Sequence, residues 1–180
     1  FLEDTFKETT LGWVHSGTGS LSRDTTRYIK DGACMALETG ATAGDKCYAL
    51  KRMSLPIYKR VAVSCYFSFT SNCRYLYVGG DGLTHPSYLG LFRIMIEARY
   101  DVVNRKWQYI SSAGVWADVP NGSMNLEADP DTWHYFQLNA RITSAGLLIF
   151  ESVICNLTTM PIGDTIPTVP DLSPQRYVFN

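Results

Sequence analysis

Apolar and polar residues alternate along the segment 131–142, which reads DTWHYFQLNARI. One side of this alternation carries His134, Phe136, Leu138, Ala140 and Ile142. The other side carries Trp133, Tyr135, Gln137, Asn139 and Arg141. A period of two residues is that of a β-strand with one face in a hydrophobic core and one face in water. The segment therefore predicts a half-buried strand whose outer face is rich in aromatic, amide and guanidinium groups.

The same alternation recurs along most of the chain, as in VAVSCYFSF at 61–69 and LFRIMIEARY at 91–100. Turn clusters such as SGTGS, TGATAGD, GGDGLTHP, PNGS, DPD and TSAG separate these segments, and we find no convincing helical stripe. We predict strands near Leu2–Phe6, Leu11–His15, Ala33–Glu38, Lys46–Met53, Tyr58–Phe69, Tyr75–Val78, Tyr88–Tyr100, Lys106–Ser111, Val115–Asp118, Trp133–Ile142 and Leu147–Cys155. Many short strands with glycine-rich turns indicate an all-β, antiparallel sandwich or barrel.

Composition narrows the classes of partner. Of the 180 residues, 46% are hydrophobic and 18% are charged, which is enough apolar material for the core of one domain. The formal net charge of −1 provides no global field that would attract nucleic acid. No apolar run approaches the roughly 20 residues of a membrane helix. We therefore expect neither a nucleic-acid partner nor membrane insertion.

The last twenty residues differ from the rest of the chain, because the segment 161–180 holds four of the 8 prolines and ends on an apolar YVF. Proline cannot donate to a strand ladder, so this composition disfavours regular pairing. We predict a sandwich domain over 1–160 and an extended proline-rich arm over 161–180. The arm would either drape over its own domain or reach to a neighbouring molecule.

Cysteine number and spacing suggest one cross-link and argue against a metal site. The chain has 5 cysteines, an odd number, and no CxxC pair, so we expect no zinc site. Cys34 and Cys47 fall in two successive predicted strands and could meet across a hairpin. They are the candidate disulfide.

Two stretches resemble a known fold family. The segment DTWHYFQLNARI…GLLIFESVICNLTTMPI is similar to the strand pair found late in concanavalin A-like (laminin-G-like) jelly-roll domains. The N-terminal half is similar to the opening of lectin-like and carbohydrate-binding sandwiches, with an x-D-x-F strand, a G-W strand and a D-G-x-x-x-x-L-x-T strand. The resemblance implies a jelly-roll sandwich. Related domains occur as glycan-binding modules, as glycosidases and as decoration or tail modules of viruses, so we expect a virion surface or an extracellular location.

The resemblance also sets a test for catalysis. Jelly-roll glycosidases of this broad class typically carry two carboxylates on one strand in a pattern like E-x-D-x-x-E, which this sequence lacks. Glu97 lies on a predicted outer face, but Asp101 follows four residues later at a predicted turn. No serine has a nucleophile-elbow context, and the three histidines are scattered. We predict no catalytic residues, with glycoside hydrolysis as the lesser alternative, and we expect His134 to be a hydrogen-bonded core residue.

An acidic loop before the predicted strand at 133–142 is a candidate calcium site. Glu127, Asp129 and Asp131 supply three carboxylates in the stretch LEADPDTW. Calcium prefers six to eight oxygen ligands. The other interpretation of the loop is a solvated turn around Asp129-Pro130-Asp131, and we otherwise expect no cofactor.

The predicted outer faces carry the candidate contact residues: Tyr66, Arg93, Glu97, Arg99, Trp133, Tyr135, Gln137, Asn139 and Arg141. Tyrosine and arginine are enriched at protein interfaces, whereas aromatic rings beside amide groups also suit sugars. Three interpretations stay open: an ordinary surface, a protein interface and a glycan site. We predict a non-catalytic structural or interaction module that self-associates as a homo-oligomer or decorates a larger assembly such as a virus capsid or tail. A lectin-like glycan-binding module is the alternative.

Overall fold

A computed structural model describes residues 13–29, 32–40, 42–51, 60–87, 90–145, 147–167, 169–170 and 178–179. Contacts divide the chain into two compact units, an N-terminal unit that extends to Met53 and a C-terminal unit over Ser54–Phe179. The predicted strand at Leu2–Phe6 lies outside the described residues. Every regular element in the described ranges is a β-strand, so the predicted all-β class is confirmed. No helix capable of spanning a membrane occurs in this part of the chain.

The N-terminal unit consists of two antiparallel strand pairs. Strand β1 (Trp13–Gly17) pairs with β4 (Cys47–Lys51), and β2 (Ser20–Asp24) pairs with β3 (Cys34–Glu38). The tight turn between β1 and β2 requires a glycine, because Gly17 has a φ of 98° and a Cβ there would lie 2.1 Å from the carbonyl oxygen of Lys46. The sequence pattern did not predict β2, whose polar residues lack an apolar alternation.

The candidate disulfide between Cys34 and Cys47 is not formed, and both side chains are free thiols. The Cys47 thiol lies 3.2 Å from the carbonyl oxygen of Ser20, and Ser20 pairs with Glu38 at the far end of β3 from Cys34. Four residues of strand separate these ends by about 13 Å. A disulfide requires Cα atoms no more than about 7 Å apart.

The C-terminal unit contains two antiparallel sheets. The first has the order β14 (Val178–Phe179), β6 (Tyr75–Ser87), β7 (Gly90–Asp101), β8 (Lys106–Ile110) and β9 (Trp116–Ser123), and β13 (Val169–Pro170) also pairs with β7. The second has the order β12 (Thr158–Pro167), β11 (Leu147–Cys155), β10 (His134–Ile142) and β5 (Arg60–Phe67).

Aromatic side chains from the inner faces of these two sheets form the core. The ring of Trp107 on β8 lies 4.7 Å from the ring of Phe136 on β10. Tyr109 on β8 lies 5.6 Å from Phe150 on β11. Trp107, Phe136 and Phe150 are fully buried. The two sheets therefore pack their apolar faces against each other, which is compatible with a β-sandwich.

The predicted faces of β5 and β10 are confirmed. Phe136, Leu138 and Ala140 are buried along β10, whereas the residues between them are half-buried or exposed. His134 is buried, and its Nε2 lies 3.0 Å from the carbonyl oxygen of Glu127, as expected of a structural histidine. Because the side-chain period of a strand is two, this register fixes which side chains reach the outer surface.

Two strands are longer than their composition suggests. The cluster GGDGLTHP lies within β6, where the register shifts between Asp81 and Leu83, so its glycines accompany a bulge rather than a turn. Strand β12 extends to Pro167, and Pro161 and the residues from Asp164 to Pro167 pair with β11 on either side of a register shift. In the described sheet β12 is an edge strand, where proline is tolerated because one side of the ladder is unpaired.

Candidate functional site

The candidate contact residues lie on two different outer surfaces of the C-terminal unit. Tyr66, Tyr135, Gln137, Asn139 and Arg141 share the outer side of β5 and β10, which we call the amide face. Glu97 and Arg99 lie on the outer side of β7, in the other sheet. The structure therefore does not bring these residues together into one site.

Two further candidates lie off these faces. The backbone of Arg93 is in β7 and pairs with Thr84 and Val169, but its side chain lies outside the described residues. Trp133 is half-buried and directly precedes β10, so it belongs to the loop that leads into the strand.

Hydrogen bonds connect the polar side chains of the amide face in one direction along β10. The Tyr135 hydroxyl donates to Gln137 Oε1, and Gln137 Nε2 donates to Asn139 Oδ1 at 2.6 Å. Asn139 Nδ2 then donates to Ser152 Oγ of β11 at 3.1 Å. Each donor polarises the next, so these side chains hold each other in defined positions on a partly solvated surface.

The two ends of the amide face differ in chemistry. At one end the rings of Tyr66 and Tyr135 lie 5.1 Å apart, and Tyr66 is 58% exposed. At the other end Glu151 accepts from Arg141 Nε at 3.2 Å and lies 3.6 Å from Arg60 Nη2. The face thus presents an exposed aromatic ring, then amides, then a charge cluster.

On the outer surface of β6–β9, Arg99 stacks against aromatic side chains. We call the surface formed by Tyr75, Tyr77, Arg99 and Trp116 the arginine face. The guanidinium carbon of Arg99 lies 4.3 Å from the ring centre of Tyr75 and 4.2 Å from that of Trp116. Tyr77 packs its ring against Trp116 at 5.7 Å in an edge arrangement. Cation–π contacts of this kind contribute about 0.5–2 kcal/mol each.

A hydrogen-bonded relay fixes the orientation of Arg99. Its Nε donates to Gln108 Oε1 at 2.8 Å, and Gln108 Nε2 donates to Asp118 Oδ1 at 2.8 Å. Lys106 Nζ donates to the second oxygen of Asp118. The hydrogen bonds from Lys106 and Gln108 hold the pKa of Asp118 below its ordinary value, so this carboxylate stays ionised.

Asp101, the carboxylate four residues after Glu97, stabilises a turn through its hydrogen bonds. Its Oδ1 accepts from the backbone N–H groups of Val103 and Asn104, and its Oδ2 accepts from Asn104 Nδ2 at 2.8 Å. Burial raises the pKa of Asp101, but these hydrogen bonds and the charge of Arg74 outweigh it and hold the pKa below the ordinary value. Both carboxylate oxygens of Asp101 therefore accept hydrogen bonds within the turn that connects β7 to β8.

The acidic loop forms a turn. Asp129 Oδ1 accepts from the backbone N–H of Asp131 at 2.7 Å, and the carbonyl of Asp129 accepts from Thr132. In the part of the chain that the structure describes, no group of three or more His, Cys, Asp or Glu side chains is placed to hold a metal ion. The calcium interpretation of Glu127, Asp129 and Asp131 stays a prediction.

Sequence reasoning missed most of the arginine face. Tyr75, Tyr77, Gln108 and Trp116 come from three different strands and meet only because of the β6–β7–β8–β9 register. The local signal was present in the alternation of Tyr75 and Tyr77 around Leu76, but nothing local indicates which strand lies beside them.

The chain matches no protein-family model, no curated protein and no solved structure at a significant level.

Proposed function

We propose that the chain is a non-catalytic structural module with a jelly-roll, concanavalin A-like sandwich, which self-associates or decorates a larger assembly such as a virus capsid or tail. The observation that carries the proposal is the arginine face, where Arg99 is held between Tyr75 and Trp116. Tryptophan, tyrosine and arginine dominate binding energy at protein interfaces.

Preorganisation favours this interpretation over that of an ordinary surface. An arginine in water loses side-chain entropy when it binds a partner, about 0.5–1.5 kcal/mol per immobilised side chain. The stacking rings and Gln108 already restrict Arg99 in the free chain. Binding through this face would therefore lose little additional entropy.

Glycan binding at the amide face is the second candidate, and a specific observation favours it. Tyr66 exposes 58% of its surface beside Tyr135 and the amides of Gln137 and Asn139. An open aromatic ring next to planar hydrogen-bonding groups suits a sugar. Arg141 is held by Glu151 at the far end and would contribute less.

Catalysis has weaker support. Glu97 faces Gly79 across the β6–β7 ladder, and the nearest downstream carboxylate on β7, Asp101, is already hydrogen-bonded within its turn. Glycoside hydrolysis requires two carboxyl groups about 5–9 Å apart around a scissile bond. Glycoside hydrolysis is therefore the third alternative, after the structural module and the glycan-binding module.

Light scattering of the purified chain over a range of concentrations tests the proposal. A defined multiple of 20.2 kDa is expected. A 20.2 kDa species at every concentration, combined with glycan binding that is lost in Tyr135→Ala, would overturn self-association in favour of the lectin-like alternative.

A further inference from the structure

Two arginines face each other at one end of the amide face. Arg60 and Arg141 are directly opposite in the register of β5 and β10, and their side chains are 78% and 45% exposed. Like charges at directly opposite positions of a strand pair are destabilising. Glu151 is the one described carboxylate that pairs with them, 3.6 Å from Arg60 Nη2 and 3.2 Å from Arg141 Nε. The cluster therefore keeps one positive charge, and guanidinium N–H groups that no described carboxylate uses.

A β-bulge places Glu151 in this cluster. The register of β10 and β11 shifts between Asn139 and Ala140, and Glu151 is the extra residue on β11. Phe150 before it is buried in the core, so the side chain of Glu151 lies on the outer side of the sheet. Bulges occur often beside active sites, where they re-aim a side chain. Here the bulge lets one carboxylate hold two arginines at the surface.

Short side chains separate the charge cluster from the exposed ring of Tyr66. The outer side of β5 carries Arg60, Ala62, Ser64 and Tyr66, and all four residues are exposed. From Arg60 to Tyr66 the strand rises by about 20 Å. Ala62 and Ser64 are too short to cover the amide groups that lie opposite them on β10. The result is an extended strip with an aromatic ring at one end, amides along it and arginines at the other end.

The amide groups along this strip suit the hydroxyl groups of a sugar chain. Gln137 and Asn139 each accept one hydrogen bond and donate one within the relay along β10, so each keeps one amide N–H and one oxygen lone pair. A sugar hydroxyl both donates and accepts, and it can therefore satisfy both. A peptide would instead need a strand edge or pockets for its side chains. Strand β10 is paired on both sides, and short or polar side chains line the strip between its ends.

The charge cluster favours a sugar that carries a carboxylate. One residual positive charge matches one carboxylate, whose two oxygens fit the parallel N–H groups of a guanidinium. A polysulfated chain fits less well, since it would place further negative charges over neutral amides and beside Glu151. Arg60 is the better placed of the two arginines, because it is the more exposed and lies farther from Glu151.

We propose that the amide face binds an oligosaccharide with a single carboxylate, such as that of a uronic or a sialic acid. Tyr66 stacks on a neutral sugar, Gln137 and Asn139 contact hydroxyl groups, and Arg60 pairs with the carboxylate. This inference rests on the glycan-binding candidate described above and gives it a ligand class. It is independent of self-association, because the arginine face belongs to the other sheet.

Isothermal titration calorimetry of the full chain tests the proposal. The probes are a xylotetraose that bears one glucuronic acid and a sialylated lacto-N-tetraose, each beside its carboxyl-reduced form. We expect the chain to bind an acidic probe about fivefold more tightly than the reduced form, because one exposed ion pair is gained. Added salt should remove this preference, since it screens exposed charges.

Two substitutions separate the two ends of the strip. Arg60→Gln is expected to bind the acidic and the reduced probe within about twofold of each other, because it removes the ion pair alone. Tyr66→Ala is expected to weaken both probes by about tenfold, because the apolar contact with the ring is lost. Tyr66→Phe keeps the ring and should leave both affinities within about twofold of those of the unaltered chain.

Arg105→Gln is the matched control, because Arg105 is exposed at the turn between β7 and β8, in the other sheet. It removes the same charge as Arg60→Gln and should leave the preference for the acidic probe unchanged. Circular dichroism of each variant separates a lost site from a lost fold.

The contrary outcomes distinguish the inference from the functions proposed above. Equal affinity of the unaltered chain for an acidic probe and its reduced form overturns the acidic preference and leaves the glycan-binding candidate standing. An undiminished preference in Arg60→Gln also overturns the assignment. Failure of the unaltered chain to bind any of the probes overturns the inference together with glycan binding at this face. Light scattering tests self-association separately.

Discussion

Replacing Phe136 by alanine tests the assignment of core and surface along β10. Phe136 is fully buried, its ring lies 4.7 Å from that of Trp107, and it pairs with Cys65 on one side and Cys155 on the other. A buried aromatic side chain removes about 150–250 Å² from water, worth about 4–6 kcal/mol at 25 cal/mol per Å². Alanine retains part of that burial and leaves a cavity, so we expect the free energy of unfolding to fall by about 3–5 kcal/mol.

Tyr135→Ala is the matched control, since it removes an aromatic ring from the adjacent residue on the opposite face. Tyr135 contacts Tyr66 and Gln137 at the surface, so we expect a loss below about 1 kcal/mol. Equilibrium urea unfolding followed by tryptophan fluorescence measures both changes. Equal losses for the two variants, or a larger loss for Tyr135→Ala, would refute the assigned faces of β10.

Two further predictions concern titratable groups. The pKa of Asp101 is lower in the folded chain than in the unfolded one, so its stabilisation is present above the unfolded pKa and disappears as the pH falls through the folded pKa. Asp101→Asn should therefore flatten the loss of urea midpoint on acidification, and an unchanged slope would contradict this. Burial raises the pKa of Cys65 to about 12 and that of Cys155 to about 11. Both should resist iodoacetamide at neutral pH until the chain is unfolded in urea, as mass spectrometry of the labelled peptides would report; rapid labelling of either in the native chain would contradict the burial.

The faces of the strands were predictable because they depend on local pattern alone. Phe136 and Tyr135 are adjacent in sequence, and a strand must place them on opposite sides. The same logic placed Tyr66 on the outside of β5 and His134 inside. These assignments required no knowledge of which strands are neighbours.

Strand order and register were not predictable, because they depend on contacts between distant segments. Arg99 could be assigned to an outer face, but its stacking on Trp116 arises from pairing across β7, β8 and β9. The candidate disulfide failed for the same reason, since the register of β2 and β3 places Cys34 at the end remote from Cys47.

Glycine and proline were misleading where the chain uses them inside strands. Gly79 begins the cluster predicted to form a turn, yet it lies in β6, where a Cβ would come within 2.2 Å of the carbonyl oxygen of Ile96. It accommodates the close approach of β7 rather than a reversal of the chain. Pro161 and Pro167 are likewise accommodated because β12 is at the edge of its described sheet.

Hydroxyl-radical footprinting at low and high protein concentration, read by mass spectrometry, tests most directly whether the arginine face is a surface for self-association. We predict that oxidation of Tyr77 and Trp116 falls as the concentration rises, because a second copy covers them. Oxidation of Tyr66, which is 58% exposed on the amide face, should stay constant. Unchanged oxidation of Trp116 at concentrations where the chain is associated, or protection of Tyr66 instead, would contradict the account.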